Sequence, residues 1–268
     1  MIKLSEKEII EYDKKIKKLG KWYQPIKFNS KLVTPSEFDI NSTIYGLKKW
    51  NKIIRGNLPK NLKGKKILEL GCASGLYSVL CAREGAEVTA IELNKKSFKQ
   101  SKLTAEIFSK LDGIDYNSKI NFLNKNFMNY KWKDYDIVLA FNVFYWITAT
   151  FMGLDQKEIE KYSKKIDVDN LFKNIKNHTQ MLVIQTDENK YYVRKKGKSS
   201  TFLTHTKTII PYLKKKGFKN IKISKPINIW GALRTIWSFL TWKRKGMAEV
   251  DLHKPWRYSR PIITAKNK

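Results

Sequence analysis

Cysteine is nearly absent from this chain. Cys72 and Cys81 are the only two in 268 residues, and they form no CxxC pair. That excludes a disulfide framework and a thiolate zinc site, and makes a reducing, cytoplasmic setting the simplest expectation. Histidine occurs three times, at His178, His205 and His253, and no metal site is visible in the pattern. Long apolar runs are missing as well. Nothing approaches the roughly 18 residues of a membrane-spanning helix. The opening MIKLSEKEIIEYDKKIKKLGKW is charged and lacks the apolar core of a signal peptide, so a soluble protein is expected.

Acidic residues are in short supply: 24 against 54 Lys and Arg, for a formal charge of +30. Such a field favours nucleic acid, anionic membrane or other polyanionic partners. Only seven of the basic residues are Arg, and Lys-heavy, Asn- and Ile-rich composition is also what AT-rich coding produces. Coding bias does not explain the asymmetry, however. Residues 190–268 hold 21 Lys and Arg and only two acids, Glu249 and Asp251.

What is present is a core. Hydrophobic residues make up 42%, which argues against wholesale disorder. Residues 1–60 read as an N-terminal extension: a charged helix over 5–19, a loop-like stretch from Trp22 to Pro35, and a second helix near 43–55. From Lys66 strands alternate with helices. Strands are predicted at 66–70, 87–92, 119–123, 136–141, 181–186, 218–224 and 261–266, and helices at 76–84, 95–111 and 205–216. This alternation predicts an α/β fold with a doubly wound, mostly parallel seven-stranded sheet spanning 61–268. An insertion near 225–258 interrupts it.

The most informative segment is Leu68-Glu69-Leu70-Gly71-Cys72-Ala73-Ser74-Gly75, which follows a strand and opens a helix. Glycine lets the chain turn sharply and lets a ligand approach the backbone. Open sheets of this type bind ligands beyond the C-terminal ends of their strands. Glu92 ends the second strand, 21 residues after Gly71. A carboxylate there can accept hydrogen bonds from both ribose hydroxyls of a nucleoside. The dinucleotide fingerprint GxGxxG fails, because Ala73 and Leu76 stand at its second and third glycines.

The segment instead resembles motif I of class I methyltransferases, matching at Glu69, Gly71 and Gly75 and departing at Ala73. The resemblance implies a Rossmann-like fold with S-adenosyl-L-methionine as cofactor. It would place Glu69, Gly71, Cys72, Ala73 and Gly75 around the methionyl and nucleoside parts, Glu92 and Leu93 at the ribose, and Asn126 and Phe127 at the adenine. Phe141, at the end of the fourth strand, would complete the cofactor pocket. Tyr145 would lie beside the transferred methyl, and Trp146 beside the acceptor. The sulfonium already activates the methyl group, so the protein mainly orients the reactants. A base is needed only for an acceptor that must lose a proton, and His205 is the first candidate, with His253 the other.

Residues 20–146 further resemble the family that includes the tRNA wobble-uridine enzymes of 5-methoxyuridine and 5-carboxymethoxyuridine synthesis. Trp22, Tyr23, Ile26, Val33, Thr34, Pro35, Leu62, Gly64, Lys65, Gly85 and Ala86 carry the likeness, with Val143-Phe144-Tyr145-Trp146 after strand four. Ser36 replaces that family's glycine, and Trp146 its histidine. The resemblance implies tRNA or another RNA as acceptor, contacted by Trp22, Tyr23 and Trp146. The basic run Lys190–Lys198 after strand five, which holds Arg194, reads either as a solvated loop or as a phosphate-contacting one near the acceptor entrance. The segment Ile229–Trp242 is open to several readings. Trp230, Leu233, Trp237 and Leu240 share one helical face, followed directly by Lys243-Arg244-Lys245. Such a helix suits a lid, a membrane surface or a lipid-linked acceptor, and its aromatics interleaved with cations also suit stacking on unpaired RNA bases. A small-molecule or glycan acceptor, and a non-catalytic basic binding module, are the remaining readings.

Overall fold

The computed structural model describes residues 2–36, 40, 46–141, 143, 167–185, 206–224 and 262–267. The chain divides into two compact units: residues 1–141 with 168–183, and residues 142–167 with 184–268.

The first unit opens with helix α1 (Glu6–Lys18). Ser5 and Glu8 form a reciprocal capping box, acids occupy the first turn and lysines the last, all of which suit the helix dipole. Tyr12 and Ile16 are its buried residues. The second expected helix is present but irregular. It runs as α2 (Gly46–Lys49), a π-helical turn (Trp50–Ile54) and a 3-10 turn (Arg55–Asn57), with Trp50 and Ile54 buried.

Strands β1 (Lys66–Leu70), β2 (Glu87–Ile91), β3 (Ile120–Leu123) and β4 (Tyr135–Phe141) pair in parallel, β1 lying between β2 and β4. Leu68 faces Thr89 on one side and Val138 on the other. Ile67, Leu68 and Leu70 are fully buried, as a central parallel strand covered on both faces requires. Between the strands lie α3 (Leu76–Arg83), α4 (Lys95–Asp112) and the short α5 (Tyr116–Lys119). Seven of the eight residues of α3 are buried. Helix α4 starts at Asn94, whose side chain accepts from Lys96 and Ser97 N–H, and stops at left-handed Gly113.

Helix α6 (Val168–His178) precedes β5 (Thr179–Gln185), burying Leu171, Phe172 and Ile175 at helical spacing. Within the second unit, α7 (Thr206–Lys215) leads to β6 (Lys219–Ser224), which pairs antiparallel with β7 (Ile262–Lys266). The strand order is β3-β2-β1-β4-β5-β7-β6. This is the expected α/β fold: seven strands, mostly parallel, with flanking helices. Helices α5 and α6 were not anticipated, and β5 starts two residues earlier than its apolar run suggested. Among the described residues no helix is long and apolar enough to cross a membrane.

The extension is tied down by side chains of the helices it meets. Lys15 pairs with Glu106 at 3.0 Å. Arg55 donates through Nε to Glu84 and through its terminal nitrogens to the Pro59 and Lys60 carbonyls.

Candidate functional site

The loop leaving β1 turns on alternate left-handed residues: Gly71 (φ 65°), Ala73 (φ 48°) and Gly75 (φ 73°). Gly75 is required sterically as well. A Cβ there would lie 2.7 Å from Ser101 Cβ and 3.2 Å from Phe122 Cε1. The loop is stitched to the end of β2 by Cys72 N–H, which donates to the Ile91 carbonyl at 3.0 Å. Cys72 itself is buried, and burial pushes its thiol well above the ordinary range, so it serves as packing and not as a thiolate.

Glu92 is held from two sides. Its Oε2 accepts the Ala73 N–H at 2.8 Å, and its Oε1 accepts the Asn94 N–H at 2.7 Å. Asn124 Nδ2 donates to the Glu92 and Leu93 carbonyls at 2.8 and 3.0 Å, fixing the turn beneath. Burial raises the Glu92 pKa, and the backbone donors oppose that rise. A carboxylate oxygen with one backbone donor keeps further acceptor capacity, so each oxygen can still take a ribose hydroxyl. Leu93 beside it is 63% exposed. Asn126 caps the 3-10 turn Phe127–Asn129, its Oδ1 accepting Met128 N–H at 2.9 Å. Phe127 is half-buried. An amide oxygen and an apolar ring at this strand end suit an adenine.

At the other end of the loop Glu69 is fully enclosed, and Ser78 Oγ donates to its Oε2. Burial raises its pKa to about 7, against the opposing pull of Ser78 and of the Lys49 charge. Lys49 was not anticipated. It is 2% exposed, and its Nζ stands 5.2 Å from the Tyr77 ring centroid and 5.6 Å from that of Phe141. Tyr77 meets Phe141 edge-on at 5.5 Å and stacks on Trp50 at 6.2 Å. Phe141 thus belongs to an aromatic wall around a buried cation. In the sequence Lys49 sits in a Leu-Lys-Lys-Trp run that reads as a solvent face, and no spacing marks it out.

The other expected positions divide. Trp22 is 1% exposed and its indole N–H donates to the Ile16 carbonyl at 3.3 Å. That corrects its reading as an acceptor contact: the ring packs the extension itself. Tyr23 next to it is half-buried. Tyr145, Trp146, Arg194 and His205 lie outside the described residues, as does the insertion near 225–258. His178 bonds Asp134 at 2.9 Å in an exposed pair. Among the described residues no group of three or more His, Cys, Asp or Glu side chains could hold a metal ion.

Residues 44–221 match the family model described as a methyltransferase domain. The chain belongs to that family. The Glu92 carboxylate, the turn after β1 and the Asn126–Phe127 corner fit a nucleoside cofactor such as S-adenosylmethionine. The ubiquinone biosynthesis O-methyltransferase of Psychrobacter arcticus is 42% identical over 55 residues, 20% of this chain and 21% of its own length. The enzyme of the same name from Bordetella avium is 32% identical over 94 residues, 35% of this chain and 34% of its own length. The chain therefore spans about a fifth to a third of the curated relatives it matches. Among solved structures, the N-terminal domain of EvdMO1, determined with S-adenosylhomocysteine and D-fucose present, is similar at a TM-score of 0.59. It has 10% identity, with 99% of this chain and 98% of that one covered. Phosphoethanolamine N-methyltransferase 2 of Haemonchus contortus gives a TM-score of 0.51 at 15% identity, covering 82% of this chain and 52% of that one. Both likenesses describe the fold.

Proposed function

We propose that this methyltransferase transfers the methyl group of S-adenosylmethionine to an oxygen of a small organic acceptor, not to RNA. The carrying observation is that the curated relatives it resembles are named as O-methyltransferases of ubiquinone biosynthesis. The RNA reading rests on the wobble-uridine resemblance and on charge. A +30 chain with few arginines attracts polyanions without selecting one.

In this reading Glu92 accepts the ribose hydroxyls with Leu93 beside it, and Asn126 and Phe127 border the adenine. Backbone of Gly71 and Ala73 approaches the methionyl part. Lys49 neutralises the methionyl carboxylate, a role that suits a buried cation close enough to lower the Glu69 pKa. Phe141 contributes an apolar ring at the sulfonium end. Tyr145 beside the methyl, His205 as base, and Tyr23, Trp146 and Arg194 as acceptor contacts keep their sequence-based assignments. So does the division into an acceptor-shaping extension, residues 1–60, and a methyltransferase domain, residues 61–268, with a lid insertion near 225–258. Transfer forms an O–CH3 bond, breaks the S–CH3 bond, leaves S-adenosylhomocysteine and releases the hydroxyl proton to a base.

The test supplies methyl-labelled S-adenosylmethionine and an extract containing both RNA and metabolites. Label in the organic-extractable, nuclease-resistant fraction is expected. Label confined to a nuclease-sensitive fraction would overturn the small-molecule reading.

A further inference from the structure

We infer that Gln24 is a positioning residue for the cofactor loop, so that the N-terminal extension sets the cofactor affinity of the domain that follows it. This rests on the reading that the turn from Gly71 to Gly75 holds the cofactor. Gln24 Nε2 donates to Ser74 Oγ at 3.3 Å, across 50 residues of sequence. Both groups are enclosed, Gln24 at 4% exposure and Ser74 at 0%. Ser74 lies between left-handed Ala73 and Gly75, at the centre of the turn whose Ala73 N–H also orients Glu92.

The segment delivering Gln24 is built to hold it still. Trp22 N–H donates to the Pro35 carbonyl at 2.8 Å and Thr34 N–H to the Ile26 carbonyl at 3.0 Å, closing the segment on itself. The buried Thr34 hydroxyl accepts Ile26 N–H at 2.8 Å and donates to the Gln24 carbonyl at 3.4 Å. Just upstream, the buried Gln100 of α4 donates to the Leu19 and Lys21 carbonyls at 3.2 and 3.0 Å. With its backbone fixed on both sides and its side chain cut off from water, the Gln24 amide has a strong reason to keep its partner. An unmet buried amide costs more than the bond itself yields. Ala73 is the opposite case, a residue in backbone that its Cβ disfavours, which persists only where the surroundings over-determine it. The Gln24–Ser74 bond supplies one of those constraints from outside the turn.

The experiment uses the full chain with the variants Gln24→Leu, Gln24→Met and Ser74→Ala, and the double variant Gln24→Leu/Ser74→Ala. Affinity for S-adenosylhomocysteine is measured by calorimetry and Tm in parallel. Each single variant should weaken binding roughly five- to tenfold, and the double variant should be no weaker than the poorer single one. Its Tm should recover part of the loss, because two apolar partners leave no amide stranded, while its affinity stays low. Gln24→Met keeps the length of the side chain and serves if Gln24→Leu does not fold. Variants with lowered Tm and unchanged affinity, or single effects that add fully in the double variant, would overturn the inference. Glu92→Ala separates the two levels. If it binds as the parent does, the cofactor site itself has been misread, whatever Gln24 does.

Discussion

Ala73 sits at φ 48° and points its N–H at Glu92 Oε2, 2.8 Å away, so a strained residue orients the carboxylate assigned to the ribose. The motif I pattern asks for glycine at this position. An alanine in left-handed backbone costs about 1 kcal/mol or more, offset in part by the smaller entropy it has to lose on folding. Ala73→Gly should therefore stabilise the chain by about 0.5 kcal/mol and leave S-adenosylhomocysteine affinity unchanged or slightly higher. Urea unfolding with parallel calorimetry checks both. A loss of stability would mean that the alanine methyl makes a contact worth more than its strain.

Gly75 has no such tolerance. An alanine there must accept φ 73° and a Cβ contact of 2.7 Å with Ser101. Gly75→Ala should cost about 2–3 kcal/mol, read as a fall in urea midpoint. Adding Ser101→Gly removes the closest contact, so it should restore part of that loss but not the share due to the backbone.

Glu69 makes stability pH-dependent in an uncommon direction. Burial raises its pKa from 4.5 to about 7 in the folded chain. The folded state therefore binds the proton more tightly than the unfolded state does. The stability this adds is complete below about pH 4.5 and is lost as pH rises to about 7. Glu69→Gln imitates the protonated form. The gap in unfolding free energy between Glu69→Gln and the parent, read from urea unfolding, should widen from pH 5 to about pH 7 and then level off, by an amount on the order of 2–3 kcal/mol. A gap independent of pH would show that Lys49 and Ser78 keep Glu69 ionised throughout.

The proposed pairing of Lys49 with the methionyl carboxylate separates the two ends of the cofactor experimentally. Lys49→Met should weaken S-adenosylhomocysteine binding by about tenfold or more, as loss of a charge-assisted hydrogen bond does. Methylthioadenosine has no carboxylate, and its affinity should not change. Equal losses for both ligands, measured by calorimetry, would make Lys49 a structural cation of the aromatic wall and not a ligand contact.

Much of this chain was legible in one dimension. The strands betray themselves because a central parallel strand buried on both faces needs a near-continuous apolar run, as in KILEL and DIVLAF. The turn after β1 was legible because left-handed backbone at 71 and 75, and at 75 close approach to Ser101 of α4, leave glycine little competition. Glu92 could be read too, since a polar residue ending an apolar strand faces the ligand edge of such a sheet. Helix α6 escaped notice, because its apolar stripe of Leu171, Phe172 and Ile175 is short and set among polar residues. Trp22 was misread because an aromatic in a loop-like stretch looks available, whereas the extension folds back and buries it.

The sheet and the left-handed turn after β1 were written in the order of the amino acids, because each depends on a local requirement of backbone or burial. Tertiary structure alone decided that a lysine in a basic run would be buried beside Glu69 and Phe141, and that Gln24 would reach Ser74. Those outcomes depend on where the extension packs. That packing comes from burial of Ile16, Trp22, Ile26 and Leu32, and from bonds between residues far apart in the chain, such as Arg55 with Glu84, which no periodicity in the sequence records.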